Sequence, residues 1–348
     1  MRRRGMILLG VLLSALFLYL AFRDSDIGKM LEEITKANPW YVILCVVLTL
    51  VAFWIRALRW RYLLYSIRVI PQGIVFSATM IGFLSNNVLP ARLGELVRAH
   101  VVGRRAEISR SAALASILIE RIFDLFTLLA LFGVMAMTTE FPGEIDRAAV
   151  LVLGVGLLTL VLLLVWHRHP EGFLRLLLRV VPSRFRAGVE NLGTRFQTGL
   201  SVFDRTSHLL VVGFLSLLMW FVILVVVGLA ILAISIEAPQ PQAAMVALVG
   251  IALVTMIPSA PGFIGTMQLG AVLALSIYEG IEREAALAFS FVFQATQWFP
   301  VNIVGIVYLV REGLSFGQLS RLAGSEEGQP GSADAVEQER DSDERGGA

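Results

Sequence analysis

The sequence predicts an all-α, polytopic integral membrane protein. Of its 348 residues, 57% are hydrophobic and 16% are charged, whereas a typical soluble domain carries about 25% charged residues and about 45 to 50% apolar ones. The mean hydropathy is +0.76. Long apolar runs, separated by short loops rich in arginine, recur along most of the chain. These observations exclude an ordinary soluble enzyme.

Nine apolar runs define the predicted membrane segments: residues 5–22, 40–58, 74–90, 111–137, 148–166, 209–234, 243–257, 261–279 and 285–310. A helix needs about 20 residues to cross the hydrocarbon core, and about six of the runs are predicted to be full spans. The first run follows three arginines and is not followed by a signal-peptide cleavage site before Arg23, so we expect it to be a retained span.

The run at 74–90 is predicted to form the first arm of a re-entrant hairpin instead of crossing the membrane. If it crossed, the next loop, with Arg104, Arg105 and Arg110, would lie outside the cell, which the positive-inside rule disfavours. Residues 74–103 are therefore expected to enter from the cytoplasm, turn at 85–90 and leave on the same side. Irregular backbone at that depth must be buried in protein or line a wet cavity. The cytoplasmic position of the preceding loop is inferred from Arg56, Arg59, Arg61 and Arg68.

The runs at 243–257 and 261–279 predict a second hairpin, which enters from the outside. The first of them would reach only about 22 Å, less than the roughly 30 Å core. The proline and glycine run between them is expected to break the helix at Pro258, Pro261, Gly262 and Gly265. Span, hairpin and span then occur twice with opposite orientation, which predicts inverted-topology repeats. The alternative is eight or nine ordinary spans with one violation of the charge rule.

Residues 1–324 are predicted to form one transmembrane domain, followed by a disordered acidic tail at 325–348. The tail has eight acidic residues and two arginines without apolar periodicity. The rest of the chain has 27 basic and 19 acidic side chains, a net charge of +8. Within the domain, residues 167–208 are predicted to be a cytoplasmic, basic, amphipathic linker that contacts anionic lipid headgroups. Both termini are expected in the cytoplasm.

The turn of the first hairpin carries the first set of candidate binding residues. If a helix restarts after the turn, Glu95 lies three residues from both Arg92 and Arg98, and the three side chains can share a face. A guanidinium fork can hold two phosphate oxygens at once, so this motif suits a phosphate. The alternative is an Arg-Glu-Arg cluster that only stabilises the hairpin. The candidates are Asn86, Asn87, Arg92, Glu95 and Arg98, with structural breaks at Pro90 and Gly94.

The second set, Glu120, Arg121 and Asp124, lies inside an apolar run. Charges within a span usually face the bundle interior, where they line a functional path or form a paired network. Glu120 and Asp124 are four residues apart and share a face, and Arg121 can pair with Asp124. One negative charge remains unless Arg92 or Arg98 lies nearby or one of the two acids is protonated. Amides form the last set: Gln268 after the second break, and Gln294, Gln297 and Asn302 around a break at Pro300. Amides in a bundle often only connect helices.

Together these motifs resemble the lysylphosphatidylglycerol synthase transmembrane family. The resemblance extends from about Trp40 to Arg311. It rests on N-x-x-L-P-x-R-x-G-E-x-x-R ending at Arg98, E-R-x-x-D from Glu120, P-G-x-x-G from Pro261 and Q-x-x-P-V-x-x-x-G from Gln297. It implies a flippase-like membrane domain with relatives in glycolipid and polyprenyl-phosphate pathways. The family turn commonly reads P-G-G-x-G-x-x-E; here Phe263 and Gln268 replace a glycine and the acid, so a role that needs a negative charge there does not carry over.

These features together predict a lipid transporter in the plasma (inner) membrane of a prokaryote. Arg92 and Arg98 would meet the headgroup phosphate, and the other charged candidates would shape the path. One alternative is a non-catalytic membrane partner of a lipid or glycolipid synthase or glycosyltransferase. Another is an enzyme related to phosphatidylglycerol lysyltransferases, although the soluble aminoacyl-transfer domain of full-length members has no counterpart after Arg321. The single cysteine, Cys45, cannot build a Cys-based zinc site. The sequence also has no Gly-rich phosphate loop, nucleophile elbow or paired acid on a soluble face, so we expect no catalytic residue, metal or cofactor. Anionic lipids are the predicted partners, and nucleic acid is not.

Overall fold

The computed structural model describes residues 2–23, 25–89, 93–138, 154, 170–182, 186, 206–257, 260–315 and 317. Every regular element in these residues is helical, which confirms the predicted all-α class there. The helices are α1 (Arg2–Phe22), α2 (Ile27–Thr35), α3 (Pro39–Leu64), α4 (Gln72–Val88), α5 (Gly94–Ala106), α6 (Arg110–Thr138), α7 (Pro170–Val180), α8 (Thr206–Ala233), α9 (Gln242–Thr255), α10 (Thr266–Leu275) and α11 (Arg283–Arg311), with a short 3-10 turn at Pro261–Phe263.

Three helices in the described residues are long and apolar enough to cross a membrane, at Pro39–Leu64, His208–Ala233 and Arg283–Arg311. Shorter apolar helices accompany them. The predicted acidic tail, most of the run at 148–166 and most of the predicted linker at 167–208 lie outside the described residues.

Helix α2 was not predicted, because its residues lie between the apolar runs at 5–22 and 40–58 and belong to neither of them. Its sequence has the signals of a short helix. Asp26 caps the first turn, accepting hydrogen bonds from the backbone N–H groups of Gly28 at 2.7 Å and Lys29 at 3.2 Å. Met30 is buried, and α2 packs on α11. Charged residues predominate in this segment, so the sequence did not reveal that Met30 packs into the bundle and holds the helix in place.

The bundle consists of two halves with the same order of elements. The first half is a long helix, a short pair and a long helix, α3 to α6, and the second is α8 to α11 with the same order. Helices α3 and α8 pack antiparallel: Cys45 Sγ lies 3.5 Å from the Val226 carbonyl oxygen, and the rings of Tyr65 and His208 are 5.5 Å apart. Each short pair also packs its first arm on the last helix of the other half, α4 on α11 and α9 on α6.

We call α4–α5 hairpin 1 and α9–α10 hairpin 2; they open at opposite ends of the bundle. At one end, Arg61 Nε donates to the Ile70 carbonyl at 2.9 Å, and Arg68 Nη1 donates to the Ala106 carbonyl at 2.8 Å. Hairpin 1 therefore begins and ends beside the end of α3. Helix α6 starts at this end and finishes beside hairpin 2, where its Phe132 and Met135 pack on residues at the start of α9.

Glycine allows close approach of the two arms in both hairpins. A Cβ on Gly82 would lie 2.9 Å from the Gly94 carbonyl oxygen, and one on Gly270 would lie 2.9 Å from the Ile251 Cα. Small residues at such crossings let the two backbones come into contact. In a bilayer the hydrophobic effect does not drive helices together, so this close packing is a main source of helix association. Two buried apolar clusters surround these crossings, one around each hairpin.

The breaks lie close to their predicted positions, with one correction. Helix α4 continues to Val88, so the predicted turn at 85–90 begins only at Leu89, and Pro90 lies outside the described residues, as does Pro258. The second break follows the prediction: Gly262 and Gly265 have φ of +75° and +90°, values that favour glycine. Pro300 lies inside α11, where it removes one backbone donor from the helix.

Candidate functional site

Six charged side chains from three helices meet in the interior of the bundle, and we call them the arginine–carboxylate cluster. They come from α3, α5 and α6: Arg56, Arg59, Arg98, Glu120, Arg121 and Asp124. The side chains of Arg59 and Glu120 are fully buried, that of Arg98 is 2% exposed, and Arg121 is the most exposed at 38%. Buried charges are stable only when they are paired and hydrogen-bonded.

Glu120 is the centre of the cluster. Arg98 holds it with a two-pronged contact, Nη2 to Oε2 at 2.7 Å and Nη1 to Oε1 at 3.2 Å. Arg121 Nη2 donates to Oε1 at 3.1 Å, and Arg59 Nη2 lies 3.3 Å from the same oxygen. This carboxylate therefore joins helices α3, α5 and α6 into one unit.

Asp124 lies one turn further along α6 and connects the cluster to the second half. Arg59 Nη1 donates to its Oδ1 at 2.7 Å, and Arg121 Nη1 lies 3.4 Å from Oδ2. The Trp220 indole N–H donates to the same Oδ1 at 3.1 Å, and Arg59 Nη1 also donates to Ser216 Oγ at 3.0 Å. Both of those partners are on α8, so the cluster reaches across the contact between the halves.

Aromatic rings support two of the guanidinium groups. The Arg98 guanidinium lies 3.6 Å from the centre of the Trp60 ring, whose N–H donates to Ser116 Oγ at 2.9 Å. Arg56 lies 5.1 Å from the Phe83 ring centre and 5.7 Å from that of Phe53. Such contacts stabilise a cation that has left water.

The cluster carries more positive than negative charge. Four arginines face two buried carboxylates, and a third acid, the partly exposed Glu95, reaches Arg121 Nε at 3.5 Å. The Nε atoms of Arg59 and Arg98 have no hydrogen-bond partner among the described residues. Asp124 Oδ2 is likewise without a hydrogen-bond partner among these residues, and unmatched buried groups of this kind are places where a water molecule or an ion can bind.

Two members of the cluster were assigned wrongly from the sequence. Arg56 and Arg59 were interpreted as charges of a cytoplasmic loop, but α3 continues to Leu64 and both side chains face the bundle interior. The signal available in the sequence was the spacing of the two arginines. Residues three apart share a helical face, and Trp60 follows Arg56 by four residues on that face. This signal was missed because arginines at the end of an apolar run are usually loop residues.

A cavity of about 260 Å³ lies beside the cluster, between the tips of the two hairpins. Hairpin 1 contributes Phe83 and Asn87, and the second break contributes Gly262 and Phe263. The remaining wall comes from α3, α8, α9, α10 and α11 and is mostly apolar. Arg56 is the one ionisable side chain among the described residues that line it.

Amide side chains hold the second break in its shape. Gln268 Oε1 accepts from the Gly265 N–H at 2.8 Å, and its Nε2 donates to Gln294 Oε1 at 2.6 Å. Gln294 Nε2 in turn donates to the Gly262 carbonyl at 2.7 Å. Gln297, which lines the cavity, donates to Thr49 Oγ1 at 2.8 Å.

The candidates of hairpin 1 are distributed over different partners. Asn86 Oδ1 accepts from the Gly94 N–H at 2.8 Å, and Asn87 Nδ2 donates to Asn302 Oδ1 at 3.1 Å. In the described part of the chain, Glu95 pairs with Arg121, and Arg98 pairs with Glu120 instead of Glu95. Arg92 lies outside the described residues. Among those residues, no group of His, Cys, Asp and Glu side chains could hold a metal ion.

Comparison with known proteins agrees with this architecture. The family described as lysylphosphatidylglycerol synthase TM region matches residues 7–305. A UPF0104 membrane protein of Methanothermobacter thermautotrophicus is 24% identical over 311 residues, 84% of this chain and 91% of that protein. The glycosyltransferase AglD of Haloferax volcanii is 34% identical over 155 residues, 44% of this chain, and the match spans only 25% of AglD. No solved structure matches.

A UPF0104 membrane protein of Methanocaldococcus jannaschii is 25% identical over 138 residues, 37% of this chain and 40% of that protein. The matched family region contains all described members of both hairpins and of the arginine–carboxylate cluster. The chain therefore belongs to the lysylphosphatidylglycerol synthase TM region family of membrane proteins.

Proposed function

We propose that this protein is a flippase-like lipid transporter that moves a phosphate-containing headgroup through the space between its two hairpins. The observation that carries the proposal is the arginine–carboxylate cluster, a buried set with surplus positive charge that adjoins a cavity. Charged residues inside a membrane bundle are kept, against an energetic cost, mostly where they serve a transport path or its support. Guanidinium groups are well suited to phosphate.

The proposed membrane topology follows from helix lengths. At about 1.5 Å per residue, α3, α6, α8 and α11 are about 39 to 44 Å long, and α1 is about 32 Å, enough to cross a core of about 30 Å. The arms α5, α9 and α10 reach only about 15 to 21 Å. With the span that the sequence predicts at 148–166, outside the described residues, the proposed topology has six spans and two re-entrant hairpins, related as inverted repeats.

The proposed orientation places the open end of hairpin 1 in the cytoplasm. Four basic side chains at that end of the bundle, Arg68, Arg104, Arg105 and Arg311, are exposed. The end of α11 lies there as well, because Arg105 Nε is 3.2 Å from Glu312 Oε2. The positive-inside rule then assigns this end, with the chain after α11, to the cytoplasm.

The test is reconstitution of the full chain in liposomes with fluorescent, acyl-labelled phosphatidylglycerol, followed by chemical quenching of the outer leaflet. We expect the lipid to exchange faster than in empty liposomes, and a Glu120→Gln protein that inserts normally to lose that activity. Glu107→Gln, at an exposed ion pair with Arg68, serves as the matched control. The proposal fails if neither phosphatidylglycerol nor a polyprenyl phosphate moves faster than in protein-free vesicles.

A second candidate, a non-transporting partner of a lipid or glycolipid glycosyltransferase, is favoured by one observation. AglD, by its name a glycosyltransferase, contains a segment similar to part of this chain. A segment similar to part of this chain thus occurs in a polypeptide named for that activity, and this protein would act beside a separate enzyme. Affinity purification from the native membrane distinguishes the two, since a stoichiometric glycosyltransferase without lipid movement supports the partner role.

A further inference from the structure

We propose that Arg56 is the residue that binds the lipid phosphate, and that the cavity admits only headgroups without a positive charge. The site would then take a simple anionic phospholipid and reject an aminoacylated one such as lysylphosphatidylglycerol. The inference rests on the proposed function and narrows its substrate class.

Arg56 differs from the other arginines of the cluster in its contacts. Arg59 and Arg98 each make a 2.7 Å contact to a carboxylate and are almost completely buried. Arg56 lies 3.7 Å from both Glu120 and Asp124, beyond hydrogen-bonding distance. Its guanidinium is therefore ion-paired with both carboxylates but hydrogen-bonded to neither of them.

Arg56 is also the cluster member that reaches the cavity. The rings of Phe53 and Phe83 lie beside its guanidinium and line the same space. The rings pack beside the guanidinium, and an incoming anion would contact its N–H groups. A guanidinium in this setting can donate two parallel hydrogen bonds to a phosphate.

The described lining of the cavity offers a cationic headgroup no carboxylate, and the Phe53 and Phe83 rings already face the Arg56 cation. No acidic side chain occurs among the described residues that line it, and the two carboxylates behind Arg56 are already paired with arginine. An ammonium group here would lose its water beside a fixed positive charge, which is strongly unfavourable.

The size of the space agrees with a headgroup site. At about 260 Å³ it is below the range of about 300 to 1,000 Å³ that holds a whole drug-sized ligand. The acyl or prenyl chains would therefore remain in the bilayer. Only the phosphate and a small neutral group enter.

The test measures binding to the full-length protein in detergent micelles by polarisation of acyl-labelled phosphatidylglycerol. Unlabelled phosphatidylglycerol and lysylphosphatidylglycerol with identical chains serve as competitors. We expect phosphatidylglycerol to compete at least tenfold better. We expect Arg56→Gln to weaken its binding at least tenfold and Arg56→Lys to weaken it less, with Arg104→Gln, an exposed arginine, unchanged.

A gain-of-function variant keeps the test independent of Arg56. Gln297→Glu places one acid in the cavity and can still bond to Thr49, so we expect the preference to shift toward lysylphosphatidylglycerol by tenfold or more. The inference is overturned if the two lipids compete equally with the wild-type protein, if folded Arg56→Gln binds normally, or if Gln297→Glu leaves the preference unchanged. Absence of any phospholipid binding by the wild-type protein would instead remove the proposed function.

Discussion

Glu120 is expected to be the residue whose charge matters most for stability. Its side chain is fully buried, and Arg98, Arg121 and Arg59 lie within 3.3 Å of its oxygens. Glu120→Gln keeps the shape but leaves these guanidinium groups with one carboxylate fewer. Removing one partner of a buried ion pair costs about 3 to 5 kcal/mol, so we expect the unfolding equilibrium constant to rise by more than about a hundredfold.

The assay is reversible unfolding in mixed micelles with increasing SDS, which reports the free energy of unfolding. The matched control, Glu107→Gln, removes an acid from an exposed pair with Arg68 at 3.4 Å, which contributes less than about 1 kcal/mol. A loss of less than about 1 kcal/mol for Glu120→Gln, equal to the control, would refute the view that the cluster holds the bundle together.

Three further predictions concern the frame of the bundle. Gly82→Ala places a Cβ 2.9 Å from a backbone carbonyl oxygen and should lower the free energy of unfolding by about 1 to 3 kcal/mol in the same SDS titration. Its control is Gly73→Ala, which has nothing within 4 Å of the new Cβ and should be neutral or slightly stabilising. Gln294→Leu leaves two buried polar partners unpaired, and we expect a loss of about 2 kcal/mol with normal membrane insertion. Arg283 donates to the last carbonyl groups of α1; Arg283→Gln should therefore speed trypsin cleavage after Arg23 several-fold, measured by mass spectrometry, and an unchanged rate would contradict this role.

Helix positions followed closely from the sequence because each apolar run is bounded by strong local signals. The run at 111–137 corresponds to α6, Arg110–Thr138, and the one at 285–310 to α11, Arg283–Arg311. Helix α2 was missed because its stability comes from packing on α11, which is distant in sequence. The extension of α4 to Val88 was missed because asparagines usually favour turns, while here Asn86 caps the next helix through Gly94.

The candidate site was predictable on α6 but not on α3. Acids inside an apolar helix are informative by themselves, and the pairing of Arg121 with Asp124 follows from their spacing. The contact between Arg59 and Asp124 joins residues 65 positions apart, and no local pattern encodes it. The charge count for Glu120 and Asp124 left two alternatives, a protonated acid or a further arginine nearby, and Arg98 is one of the arginines that the structure places there.

The two halves share a frame but differ in the forces that hold their hairpins. Hairpin 1 is bound to α6 through ion pairs of Arg98, whose disruption costs about 3 to 5 kcal/mol. Hairpin 2 and its break are bound to α11 through the neutral amides of Gln268 and Gln294, each worth about 1 kcal/mol. Breaking these polar contacts of hairpin 2 is therefore expected to cost less free energy than breaking the ion pairs of hairpin 1. Both hairpin tips line the same cavity. The unfolding free energies lost by Glu120→Gln and by Gln294→Leu therefore compare the polar contacts that hold each hairpin beside that cavity.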